Sequence, residues 1–493
     1  MINMIYAWDF SLANYESVWR TLVVLGLLLI ALFVGNVLRT AIPFFRKSLI
    51  PSALLGGLVL LIGMIVFKRT GVISEETNAK LQQSMQIITY HGLGIGFAAM
   101  TLKTMKTKNK TANSKVIENG ALTGGTYMLQ ACVGLLVTIL AFLFTKTSDN
   151  PVYFTSGLLL PLGFGQGPGN ALTWDVNFTN IQINNANVFF GNGSVGLTIA
   201  SVGFIVASLI GVLYINIMRR KGKIILENNQ EAVEKEVSMF ESPNEIPDNE
   251  SVDKFSIQLS LVFIAYAAAF GIMVLFSIIS DFTGSLAWGF NFIWGVITAN
   301  LIKLIIKGLK KANVVKREYI NNYQMDRISG FAFDIMIVAG VGAIEIKYVQ
   351  MYLLPIIILC VVGTITTFIY IKLVCDHCFK GYENEMFVTN FGALTGTASN
   401  GMILLKEIDS NFKTPAANLY ILSQLPAILF VAPLLLLLNF AAKSFTNTIV
   451  AFVIFFVLFT IYTIYLFRNA LFKKKNKTEP TENTVSIEKI NNK

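Results

Sequence analysis

The chain has 493 residues, 54% of them hydrophobic and only 14% charged, with a formal net charge of +10. Soluble domains carry about 25% charged residues, so this composition, with a mean hydropathy of +0.61, excludes an ordinary soluble protein. Four cysteines are too few for a disulfide framework, and the basic residues fall in short loops between apolar runs, where they set topology and do not mark a nucleic-acid surface.

Residues 1–16 are mixed and aromatic, suited to a membrane interface. A first transmembrane repeat follows over 17–218, with apolar spans at 17–41, 50–67, 82–102 and 118–145, a broken segment at 153–185, and a span at 188–218. The first span is long and lacks a small-residue cleavage site, so it is not a removable signal peptide. A polar linker over 219–254, rich in Glu, Asn and Lys, leads to a second repeat over 255–440. Its spans lie at 255–280, 285–308, 328–347 and 351–374, then a broken segment at 386–408 and a span at 414–440. An additional transmembrane segment (441–468, helical from 445) and a basic, then polar tail (469–493) close the chain.

The strongly basic loops are 103–115, 219–223, 303–317 and 468–477. Placing them in the cytoplasm puts the N-terminus outside and the linker and tail inside. The second repeat then starts on the opposite side from the first. The expected fold is an all-α polytopic membrane protein with two inverted five-helix repeats, each with a broken segment, plus one extra C-terminal helix. Paired Gly/Pro interruptions at corresponding repeat positions point to a secondary transporter.

The two interruptions are Gly163-Phe-Gly-Gln-Gly-Pro-Gly-Asn170 and Phe391-Gly-Ala-Leu-Thr-Gly-Thr-Ala-Ser-Asn-Gly401. Laying Asn170 on Asn400 matches small residues with small ones. Glycine and proline end a helix, and the exposed backbone beside them can take an anion or a cation. Close helix packing is the competing use of small residues. The candidate binding set is Gly163, Gly165, Gln166, Gly167, Gly169 and Asn170 in the first break. Thr395, Gly396, Thr397, Ser399 and Asn400 supply it in the second.

Asp334 lies inside the span 328–347 and joins the set, because an acid at that depth is costly; pairing with Lys316 or Arg327 is the alternative. Uncharged oxygens suit a hard cation, so Asn170, Asn400 and Asp334 are the candidate sodium ligands. Asp175 either faces water or caps a helix, Glu345 pairs with Lys347, and His91 is a proton-relay candidate in principle, though a lone histidine in a Gly-rich span reads rather as a packing residue. Cys375-Asp-His-Cys378 lacks the second ligand pair that structural zinc needs. No catalytic triad, P-loop or carboxylate pair is present, so neither an enzyme nor an ATP-driven pump is expected.

The paired interruptions, the run Leu404-Leu-Lys-Glu-Ile-Asp409, the motif Ile50-Pro-Ser-Ala-Leu-Leu-Gly-Gly57 and the central linker together resemble the bacterial sodium/glutamate symporter family over about residues 17–440. The resemblance implies re-entrant hairpins, a homodimer in the bacterial cytoplasmic (inner) membrane, and elevator-like uptake of glutamate. Sodium would be the coupling ion, with no other cofactor. The chain departs from the family where members carry a histidine in the first glycine stretch; here it reads Gly165-Gln-Gly-Pro-Gly169. A proton-coupled or exchange transporter of another carboxylate is the alternative, and a channel or non-transporting receptor the alternative of a different class.

Overall fold

A computed structural model describes residues 15–103, 113–147, 151–183, 186–222, 253–314, 317, 319–409 and 413–471. Most of the linker and the tail beyond Leu471 lie outside these residues, as does the segment before Tyr15. The described chain is almost wholly helical. Its first half holds α1 (Tyr15–Ala41), α2 (Pro43–Lys47), α3 (Ser52–Arg69), α4 (Glu75–Leu102), α5 (Asn113–Thr145), α6 (Leu159–Gln166), α7 (Pro168–Thr179) and α8 (Ser194–Arg220). The second half holds α9 (Lys254–Ile279), α10 (Asp281–Gly289), α11 (Asn291–Lys311), α12 (Asn322–Gly342), α13 (Ile346–Met351), α14 (Leu353–Cys378), α15 (Glu383–Thr395), α16 (Ala398–Ile408), α17 (Ala416–Leu422), α18 (Gln424–Ala441) and α19 (Phe445–Leu471). A two-stranded hairpin, Gln182–Ile183 against Ala186–Asn187, follows α7.

Among the described residues, 8 helices are long and apolar enough to cross a bilayer, or 9 if α17 and α18, bent by 49°, form one span. The protein is therefore a multi-pass helical membrane protein. α4 and α12 are absent from that set despite their length. Each carries a polar stretch: Gln82, Gln83 and Gln86 in α4, and Asp326, Arg327 and Asp334 in α12. The expected span 285–308 is not continuous. It breaks at Phe290 (φ −124°, ψ 40°) into α10 and α11, and Asn291 at the start of α11 donates its side-chain amide to the Tyr90 carbonyl at 2.9 Å.

Packing divides the helices into two groups. In one, α1 lies on α3, α9 on α11, α3 on α12, and α4 on both α11 and α12. Small residues permit the close approach that drives helix association in lipid: a methyl at Gly56 would stand 2.4 Å from the Ala31 carbonyl oxygen. In the other group α5 packs on α14, α18 and α19, α6 and α7 pack on α8, and α15 packs on α8, α14 and α16. A large aromatic and aliphatic core holds this second group together, including Phe164, Trp174, Phe178, Phe387 and Phe391.

The additional helix α19 is fixed along its length by polar contacts. Thr448 Oγ1 meets Thr155 Oγ1 at 2.8 Å, Tyr462 donates to the Phe430 carbonyl at 3.2 Å, and Thr463 meets Tyr370 at 3.2 Å. At its end Arg468 donates to Glu118 Oε1 at 2.7 Å, and Lys115 donates to the other carboxylate oxygen at 2.8 Å. The Glu118 side chain is only 4% exposed, so losing a partner leaves charge poorly solvated. Arg468→Ala should lower the melting temperature in detergent. A double-mutant cycle with Glu118→Gln should return about 1–3 kcal/mol of coupling; additive effects would mean that the pair does not hold α19.

Candidate functional site

Both interruptions form where the sequence places them. α6 ends at Gln166, and Gly167 takes φ +77° and ψ −171°, a conformation open to glycine and closed to most L-residues. Pro168 then starts α7 as its first residue, where its missing N–H costs nothing. In the second break α15 ends at Thr395, Gly396 takes φ −130° and ψ −104°, Thr397 is extended, and α16 starts at Ala398. Neither α7 nor α16 has a side-chain cap on its first turn. Two helix N-termini therefore present unpaired N–H groups and the positive ends of their dipoles.

The fold brings the two breaks into contact. A methyl group built on Gly167 would stand 3.3 Å from Thr397 Cγ2. α8 lies beside both: Gly203 admits the Thr395 carbonyl, which a methyl there would meet at 2.3 Å, and Ala207 lies against Gly396. Gln166 and Thr397 are half-buried and Ser399 is exposed, so the junction reaches the protein surface.

Side-chain amides at the junction are incompletely paired. Asn170 donates to Gln166 Oε1 at 2.6 Å, yet its own Oδ1 is buried without a partner. Thr397 donates to Asn400 Oδ1 at 3.2 Å, and Asn400 Nδ2 is buried without one. Buried polar atoms are nearly always hydrogen-bonded, so these orphans mark a place able to receive a polar ligand. Thr395 instead donates to its own helix, to the Phe391 carbonyl at 2.6 Å. Gly163 and Gly169 serve packing: methyl groups there would collide with Ile199 and Leu93. Gly165 lies against the ring of Tyr127.

Three polar residues outside the sequence-derived set belong to this neighbourhood. Gln130 of α5 donates to Thr367 of α14 at 3.0 Å and to the Leu394 carbonyl at 3.0 Å. That carbonyl is one the second break frees. Gln130 Oε1 is itself orphaned, as is Oδ1 of Asn390, one turn before the break. The signal was present in the sequence as uncharged polar residues inside otherwise apolar spans.

Asp334 is not gathered into the site. It lies on an exposed face of α12, and the charge acting on it is Arg39 of α1. The expected partners do not serve it: Arg327 donates to Tyr323 at 3.0 Å, and Lys316 lies outside the described residues. Asp175 is a cap. Its two carboxylate oxygens accept the Gly193 N–H at 2.9 Å and the Gly196 N–H at 2.6 Å, at the start of α8. Asp409, after the second break, likewise accepts the backbone N–H groups of Lys413 at 2.8 Å and Thr414 at 2.9 Å. Glu345 pairs with Lys347 at 3.2 Å as expected, and also receives Asn192 at 3.0 Å. His91 is exposed on one side, and its ring packs edge-on against Tyr90 and Tyr266, with Nδ1 2.9 Å from the Tyr266 hydroxyl. Cys375 and Cys378 are buried thiols, and among the described residues no group of His, Cys, Asp and Glu could hold a metal ion.

No protein-family model matches the sequence. A search of curated proteins finds no significant match either.

Proposed function

We propose that the protein is a sodium-coupled symporter of glutamate or a related amino-acid or dicarboxylate anion, working by elevator-like alternating access. The observation that carries this proposal is the contact between Gly167 and Thr397, which joins two interrupted helices at one place. The N-termini of α7 and α16 would hold the carboxylate groups, since N–H groups and helix dipoles favour anions. Freed carbonyls with Asn170 and Asn400 would hold sodium, which prefers neutral oxygen ligands. Asp334 is left out of the sodium site because it lies on an exposed face of α12, outside the junction of the two breaks.

Two inverted repeats are part of this proposal, and the packing supports them. The third spans of the two halves, α4 and α12, lie on each other, as do the fourth spans, α5 and α14. The second span of each half packs on the third span of the other, α3 on α12 and α11 on α4. A two-fold relation in the membrane plane produces such reciprocal pairs. The membrane potential contributes about 2.3 kcal/mol per net charge moved per 100 mV, so sodium in excess of substrate charge would drive accumulation. We place the protein in the bacterial inner membrane as a homodimer.

A proton-coupled or exchange transporter of another carboxylate is the second reading, and the contact of His91 with Tyr266 favours it. Radiolabelled L-glutamate uptake into proteoliposomes separates the two. Accumulation that requires an inward sodium gradient is expected. Accumulation driven by a pH gradient alone would replace the first reading with the second, and flux without accumulation would indicate a channel.

A further inference from the structure

α8 carries two cavities along its length that the transport reading does not use, the second shared with α14. One, of about 540 Å³, is lined by Leu213, Asn216, Ile217, Arg219 and Arg220 at the basic end of the helix. The other, of about 210 Å³, is lined by Ile210 of α8 and by Thr364, Ile365, Phe368 and Ile369 of α14. Ile210, Leu213 and Ile217 follow one another at helical spacing, so both cavities lie along one stripe of α8. From Ile210 to Arg219 is about 14 Å along the helix axis.

The chemistry changes along that distance. The α14 end is apolar and the terminal end offers two guanidinium groups and an amide. Leu213 and Ile217 are 58% and 40% exposed beside the arginines, as residues facing acyl chains are. Glu407 lies within electrostatic reach of Arg219, which leaves the pair with a net positive charge. A soluble anion would use the arginines and leave the groove empty, while a neutral lipid would use the groove and leave the arginines without a partner of opposite sign.

We propose that one anionic phospholipid binds along this face, its phosphate at Arg219 and Arg220 and an acyl chain in the groove between α8 and α14. Basic pockets at the ends of membrane helices recognise headgroups in this way, and each arginine near the surface adds to the attraction. The site does not depend on which ion or substrate the protein carries.

Native mass spectrometry of the purified full chain tests the proposal, with phosphatidylglycerol, phosphatidylcholine and inorganic phosphate as probes. One phosphatidylglycerol per chain should be retained, at least about tenfold over phosphatidylcholine. R219Q/R220Q should reduce that retention about tenfold or more while leaving the melting temperature unchanged. Ile369→Trp, which fills the groove from its exposed α14 side, should weaken retention with the arginines intact. Equal retention of the two lipids, or unchanged retention in either variant, overturns the proposal. So does displacement by inorganic phosphate, which would make this a soluble-anion site. Should R219Q/R220Q fail to fold, Ile369→Trp alone decides.

Discussion

Gly167→Val should reduce sodium-dependent uptake by about two orders of magnitude while the protein remains folded. Two independent causes act at this residue. Its φ of +77° is a region that β-branched side chains rarely adopt, so the backbone must shift toward negative φ and re-aim Pro168 and the start of α7. The new side chain also points at Thr397, whose Cγ2 would already lie 3.3 Å from the first added carbon, and valine extends two methyl groups beyond it. A displacement of about 1 Å between positioned groups can cost about 100-fold in rate. The control is built into the same contact. Gly167→Ala should lose less, and Thr397→Ser in that background should recover part of the loss, because serine lacks the methyl group that collides. Wild-type uptake by Gly167→Val, measured in proteoliposomes with matched amounts of folded protein, would remove the junction of the breaks from the transport site.

Asp175→Ala should have the largest effect on stability. The carboxylate is fully buried and accepts two short hydrogen bonds from the first turn of α8, where the helix dipole favours negative charge. Its loss leaves two buried N–H groups without partners, at about 1–3 kcal/mol each. It also opens space beside Gly191, which sits against Asp175 Oδ1. We expect a loss of about 3 kcal/mol or more, read as a large fall in the detergent melting temperature. Asp175→Asn should recover about half, since one oxygen remains to accept. A melting temperature unchanged by Asp175→Ala would mean that α8 is held by packing alone.

Much of the fold was legible because its signals are local. Gly167-Pro168 and Gly396-Thr397 stop helices by their own backbone chemistry, and the structure interrupts the chain at those residues. Most spans were legible from apolar length, but α4 and α12 carry too much polarity to count by that measure, and the expected spans 285–308 and 414–440 are broken at Phe290 and between α17 and α18. Long-range partners were the part that could not be read. Asp334 gave the expected signal of an acid within a span, but its surroundings depend on how α1 and α12 pack, and Arg39 is 295 positions away. The same limit hid Gln130, whose partners Thr367 and Leu394 come from the other half of the chain. Asp175 was ambiguous for a related reason. A carboxylate after a break reads alike whether it waits for a ligand or caps the next element.

The pairing of α4 with α12 bears on how the chain is made. Each of the two carries polar residues that make it a poor candidate for lateral release into lipid on its own, and each has the other as its principal neighbour. During synthesis α4 is complete when Leu102 emerges, yet its partner begins only at Asn322. At about 5–20 residues per second that interval lasts tens of seconds. Throughout it, the small-residue face of α4 at Gly92 and Gly96 stays without Met336 and Phe333, the α12 side chains that pack on it. The contact at the centre of the bundle can therefore close only once the second half has been made.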